Sequence, residues 1–168
     1  LVKGVKEPLE KASRIYNYVR DNFTCTNHRR VQAEQNLKTL VKSKNGTVAE
    51  INLLLTALLL HEDLKADPVI LSTRDNGVTY SMYPLLNRFN YVITQLTIDD
   101  KPIYLDASEP HLGFGLLPLR CYNGHARVMD AMASAIELLP ESVNEKSFAS
   151  AFIVNDEKGN LVGSMQYS

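Results

Sequence analysis

Residues Lys42–Leu60 read KSKNGTVAEINLLLTALLL, a polar loop that runs into a helix start and then a long apolar helix. Thr47-Val48-Ala49-Glu50 fits a capping box: a threonine that can cap, and a glutamate three residues on that can reach back to the cap amide. Val48 is then the first helical residue. Beyond it, Leu53–Leu60 is apolar for eight residues with Thr56 inside. Such a helix is apolar on most sides, so it belongs inside a domain, covered by a sheet and by other helices. It is too short to cross a bilayer. His61-Glu62-Asp63 stand where a glycine cap is usual, and His61 suits the negative end of the helix dipole.

Working outward, Leu9, Ala12, Ile15, Tyr16 and Val19 recur at helical spacing and predict a helix over 7–21. A polar loop carrying Cys25 and His28 follows, and a short helix is expected over 31–41, broken by Ser43–Gly46. Ala66–Thr73 reads as a buried strand and Arg74–Gly77 as a turn, with a loop over Val78–Leu86. Tyr91–Ile98 alternates as a strand, Asp99-Asp100-Lys101 turns it, and Pro102–Asp106 returns. Asp106 ends that strand in the turn Asp-Ala-Ser-Glu-Pro, the kind of place where side chains serve function. His111–Pro118 is glycine-rich but lacks the spacing of a phosphate loop. A strand running into a short irregular piece is expected over Arg127–Ser134, a loop over Leu138–Glu145, and a hairpin from Ser147–Val154 and Leu161–Tyr167 around Asn155–Asn160.

Three blocks carry a resemblance. Asn45–Leu64 resembles the Gly-Asp-Cys-helix block of the bacterial transglutaminase-like core, within the papain-like cysteine protease superfamily. Arg88-Phe89-Asn90-Tyr91-Val92-Ile93 is similar to that family's Phe-Asn-His-Val strand, and Pro102–Ser108 to its Tyr-Trp-Leu-Asp-Pro-Thr strand. The helix around Ala12–Asn22 resembles the family's lead-in. The resemblance covers residues 7–129. It implies an α+β fold: N-terminal helices, a buried central helix on an antiparallel sheet, and a C-terminal β-hairpin. It also implies a core domain over 1–146, with 147–168 as the truncated start of a following β-rich domain.

On this matching Val48 falls where the family has its nucleophilic cysteine, Tyr91 where it has the histidine base, and Asp106 where it has the orienting aspartate. A helix start stabilises a thiolate through its amides and dipole, but valine has no lone pair and no proton to give. Tyrosine, with an ordinary pKa of about 10, is a poor general base near neutrality. The resemblance therefore implies a pseudoenzyme that binds a peptide or glycan, or serves as a structural module, within a larger exported bacterial protein. Tyr80, Tyr83, Tyr91 and Asp106 are the binding candidates; packed or loop tyrosines are the plain alternative for Tyr80 and Tyr83. A tyrosine hydroxyl at position 91 is expected to donate to Asp106. The alternative function is a superfamily hydrolase with displaced groups drawn from Cys25, Asp106, Glu109 and His111.

A chain of 168 residues suits one domain able to bury about 70% of its unfolded surface. The net charge of −1, with no basic run beyond His28-Arg29-Arg30, argues against nucleic acid as a partner. Cys25 and Cys121 are far apart; they pair in an exported protein or remain separate thiols, and no metal-ligand spacing or cofactor motif occurs. No signal peptide is visible, but the chain starts mid-pattern at Leu1-Val2-Lys3 and is expected to be part of something longer. The family resemblance suggests a periplasmic or exported protein of a Gram-negative bacterium with flanking β domains.

Overall fold

The structure, a computed structural model, describes residues 2–83, 85–142, 148–155 and 158–167. The central helix, α3 below, spans Val48–His61 as its sequence dictates. Thr47 Oγ1 accepts from the Glu50 amide, and Glu50 reaches back to the Thr47 amide, so the capping box is closed. Glu50 does more than cap. Its two oxygens also accept from the Glu34 amide and from the amide and side chain of Gln35, which ties the 34–35 loop to the helix start. Burial alone would raise the Glu50 carboxyl, but these bonds outweigh it and hold the group below its usual value.

α1 (Pro8–Asn22) turns Ala12, Ile15, Tyr16 and Val19 inward against Ile51, Leu54, Leu55 and Leu59 of α3. Residues Thr24–Asn27, expected as loop, form a short strand β1. It pairs in parallel with β2 (Asn45–Thr47), so that Cys25 lies opposite Gly46, two residues before Val48. Gly46 is required by close approach: a Cβ there would stand 2.5 Å from Leu40 and 2.8 Å from the Glu50 carboxylate. The short helix α2 covers Leu37–Ser43 rather than 31–41, because Asn36 caps it by accepting from the Thr39 amide.

The main sheet is antiparallel, with strand order β5-β4-β3-β6-β7: β3 (Lys65–Leu71), β4 (Tyr91–Ile98), β5 (Lys101–Leu105), β6 (Gly124–Val128) and β7 (Ala135–Leu138). α3 lies against β4 and β3. β4 is buried on both faces over its first half: Thr94 bonds to α3, while Tyr91 and Ile93 enter a second buried cluster with Val48, Val69, Leu71 and Cys121. The strand and irregular piece expected over Arg127–Ser134 are the end of β6 and the turn after it, and β7, which was not expected, follows. Asp130 makes that turn by accepting from the Met132 and Ser134 amides. The element pattern is the expected α+β fold.

The C-terminal hairpin is present as β8 (Ala149–Asn155) and β9 (Leu161–Tyr167), antiparallel and exposed at every position. The expected domain boundary at 146/147, Ser147 itself and two residues of the expected turn lie outside the described residues. Among those residues, no helix is long and apolar enough to cross a membrane.

Candidate functional site

Three devices bring Val48, Tyr91 and Asp106 together. The capping box fixes Val48 at the first turn of α3, where it is fully buried and shares a cluster with Tyr91. The β4–β5 register sets Thr94 opposite Leu105, so Asp106, one residue past the end of β5, returns to the level of the start of β4. The Tyr91 hydroxyl then donates to Asp106 Oδ2 at 2.8 Å, the bond expected from the sequence. Burial is the main force pushing the Tyr91 phenol well above its ordinary value, with the Asp106 charge second. A phenol in that state keeps its proton and cannot serve as a base.

The other oxygen of Asp106 is also fully engaged. Oδ1 accepts from the Ser108 amide at 2.9 Å, from Ser108 Oγ at 2.6 Å and from Asn52 Nδ2 at 2.9 Å. Asp106 is completely buried, so four donors to two oxygens are what make it tolerable there. Asn52 was not singled out by sequence reasoning, yet it joins helix to hairpin. Its Nδ2 also donates to the Val92 carbonyl, its Oδ1 accepts from the Ala107 amide, and its own carbonyl accepts from Thr56 and Thr94. The signal was available in the sequence: Asn52 is an amide in an otherwise apolar helix, four residues and about one turn beyond Val48 on the same face.

Arg120 was missed as well, and no local pattern marks it. Its Nη2 donates to the Tyr91 hydroxyl at 2.9 Å and to Glu109, and lies 3.3 Å from His28 Nδ1. Its guanidinium sits 5.2 Å from the centre of the Tyr91 ring. Through Arg120 the buried carboxylate connects to a half-exposed group: Glu109, His28 and Cys25. The Cys25 sulfur is 3.5 Å from His28 Nδ1 and 3.5 Å from the Asn27 carbonyl that it donates to. His111 is exposed on the following turn and takes no part in this network among the described residues.

Beside this group opens a pocket of about 500 Å³, walled by Arg20, Phe23, Thr24, Cys25, His28 and Ser108 among others. Tyr91 and Asp106 are both fully buried, and a molecule in the pocket meets Ser108 before either of them. Tyr80 and Tyr83 do not join this place. They are exposed by 69% and 72% and line a separate pocket of about 450 Å³ with Val78, Leu85 and Arg88.

Cys25 lies opposite Gly46, two residues before the first residue of α3, and is the thiol that lines the pocket. Burial pushes it up to about 11, so it is a neutral thiol near pH 7. The His28 nitrogen that faces it is the same one that faces Glu109, 3.4 Å away. A catalytic relay needs the carboxylate on the opposite ring nitrogen from the nucleophile. Cys25 and Cys121 are both free thiols, and among the described residues no group of histidine, cysteine and acidic side chains could hold a metal ion.

A solved structure from Parabacteroides distasonis, described as a "putative protease", superposes with a TM-score of 0.62 over 95% of this chain at 14% identity. This chain spans 32% of that one. The likeness is one of fold. No curated protein matches the chain. The sequence model of the transglutaminase-like superfamily matches residues 1–128, three quarters of the length and all of the elements that build the Val48–Tyr91–Asp106 site. The chain belongs to the transglutaminase-like superfamily.

Proposed function

We propose that this domain is a catalytically inactive member of its superfamily, acting as a binding or structural module within a larger exported bacterial protein. One observation carries the reading. At the helix start stands a buried valine, and the tyrosine across from it holds its proton on a hydrogen bond to Asp106. Acyl transfer by this superfamily's route needs a nucleophile and a base, and neither side chain supplies one.

The pocket beside Ser108 is the proposed ligand site, for a peptide or a glycan. Phe23 offers an apolar wall, while Arg20, Thr24 and His28 offer polar groups for orientation. Tyr91 and Asp106 shape it from beneath through Ser108 and Arg120. Tyr80 and Tyr83 are proposed as flat aromatic contacts in their own pocket. The exposed β8–β9 hairpin fits the start of a following β-rich domain, since an isolated two-stranded hairpin is marginal in water.

The wild-type protein is expected to release no product above a blank in peptidase and transamidase assays, with or without a reducing agent. Turnover that disappears in Cys25→Ala would sink the reading and favour a hydrolase with displaced groups. A thermal-shift screen of short peptides and oligosaccharides tests the binding role. A hit that raises Tm should lose its effect in Thr24→Trp, which fills the pocket from an exposed wall position.

A further inference from the structure

The β6 strand carries a second buried polar cluster that the superfamily site does not use. His125 is buried, with 3% of its side chain exposed. Its Nε2 accepts a hydrogen bond from Arg127 Nε at 3.2 Å. An arginine can only donate, so this ring is neutral and its proton is on Nδ1. That Nδ1 has no hydrogen-bond partner, and the Glu137 carboxylate lies 4.0 Å from it on β7, directly across the strand pair.

Arg127 uses its other two nitrogens as a clamp. Nη1 donates to the Ala133 carbonyl in the β6–β7 turn, and Nη2 to the Ser81 carbonyl, both at 2.7 Å. Ser81 lies in the loop segment 78–83, which displays Val78, Tyr80, Met82 and Tyr83 with 59–78% of each exposed. The loop's second tie to β6 is Thr79 Oγ1, which donates to the His125 carbonyl at 3.0 Å. Both ties run through residues 125 and 127.

We propose that His125 is a proton-sensitive latch for this aromatic loop: its protonation turns Arg127 away and releases Ser81. A proton on Nε2 sets two donors and two positive charges against each other 3.2 Å apart. The same proton makes the ring a cation beside Glu137, which holds it in the new state. The charged groups facing the imidazole are Arg127 on its own strand and Glu137 on β7. From the segment just before β4 it meets Phe89, with ring centres 6.3 Å apart, and Phe89 does not titrate. Burial, then Arg127, depress His125 below its ordinary value of 6.5, with Glu137 opposing, so the latch is closed at neutral pH and opens only as pH falls below that value.

The test is amide hydrogen exchange of residues 79–83 between pH 7.5 and 5, corrected for intrinsic rates and compared with His125→Gln. Glutamine can accept from Arg127 but does not titrate. Protection in the wild type is expected to fall roughly tenfold relative to His125→Gln as pH drops, the scale of one hydrogen bond to a charged group. Glu137→Gln, a half-exposed change that tolerates substitution, should move the midpoint to lower pH by removing the charge that favours the cation; this holds the idea to account even if His125→Gln does not fold. Equal pH responses in wild type and His125→Gln, protection that ignores pH, or a midpoint indifferent to Glu137→Gln would each overturn the latch.

Discussion

The two ends of the Arg120 network obey opposite rules. At the buried end stand Asp106, Tyr91, Ser108 and Asn52, all buried, and each oxygen of the carboxylate has its donors within 2.6–2.9 Å. At the open end, Glu109, His28 and Cys25 line or adjoin a pocket, and their side chains share one crowded histidine nitrogen. The positions that the sequence matches to the superfamily's triad lie at the buried end, where the polar geometry is complete. The titratable groups that remain accessible sit at the other end, without the geometry of a relay. On the proposed reading, hydrogen bonding rather than chemistry keeps this place in the fold.

That contrast breaks most visibly at Asp106. Asp106→Ala leaves the Tyr91 hydroxyl, the Ser108 amide and the Asn52 amide without their acceptor inside the core, and should cost about 3–5 kcal/mol in denaturant unfolding. Tyr91→Phe removes one donor and should cost about 1–3 kcal/mol. It also has a pH signature. The folded phenol is raised, so the unfolded state loses its proton first and stability falls as pH rises above the ordinary tyrosine value of 10.0. Tyr91→Phe should flatten part of that alkaline fall; Tyr16, raised to about 12, and the raised thiols Cys25 and Cys121 are among the groups that keep the rest. Arg120→Met cuts the link between the ends while keeping much of the packed stem. At a site with a third of its side chain exposed it should cost about 1 kcal/mol. His28→Ala, at the open end, should change stability by less than about 0.5 kcal/mol. If His28→Ala proves as costly as Tyr91→Phe, the division into a structural and an open end is wrong.

The sequence displayed this arrangement unevenly, for physical reasons. α3 was legible because its start and its burial are local: the cap, the returning glutamate and the apolar run fall within one short window. The β4–β5 hairpin was legible by alternation and by its Asp-Asp turn, and with it the Tyr91–Asp106 bond. Residues 24–27 were not, since a four-residue strand paired in parallel to three residues of β2 has no periodicity to display. β7 was not legible because the turn before it is built by the Asp130 side chain rather than by a glycine. Arg120 could not be found at all: its partners are 11, 29 and 92 residues away, and only the folded chain brings them to one guanidinium. Tyr80 and Tyr83 were grouped with Tyr91 by residue type, whereas the loop that holds them is tied to β6.

The most direct test of the central claim, that Tyr91 and Asp106 now form a structural pair, is a double-mutant cycle on unfolding free energy with Tyr91→Phe and Asp106→Asn. The account predicts a coupling of about 1 kcal/mol or more, as expected for two groups in one buried hydrogen bond. Additive effects, with coupling below a few tenths, would contradict it: the hydroxyl and the carboxylate would then be neighbours without a shared role.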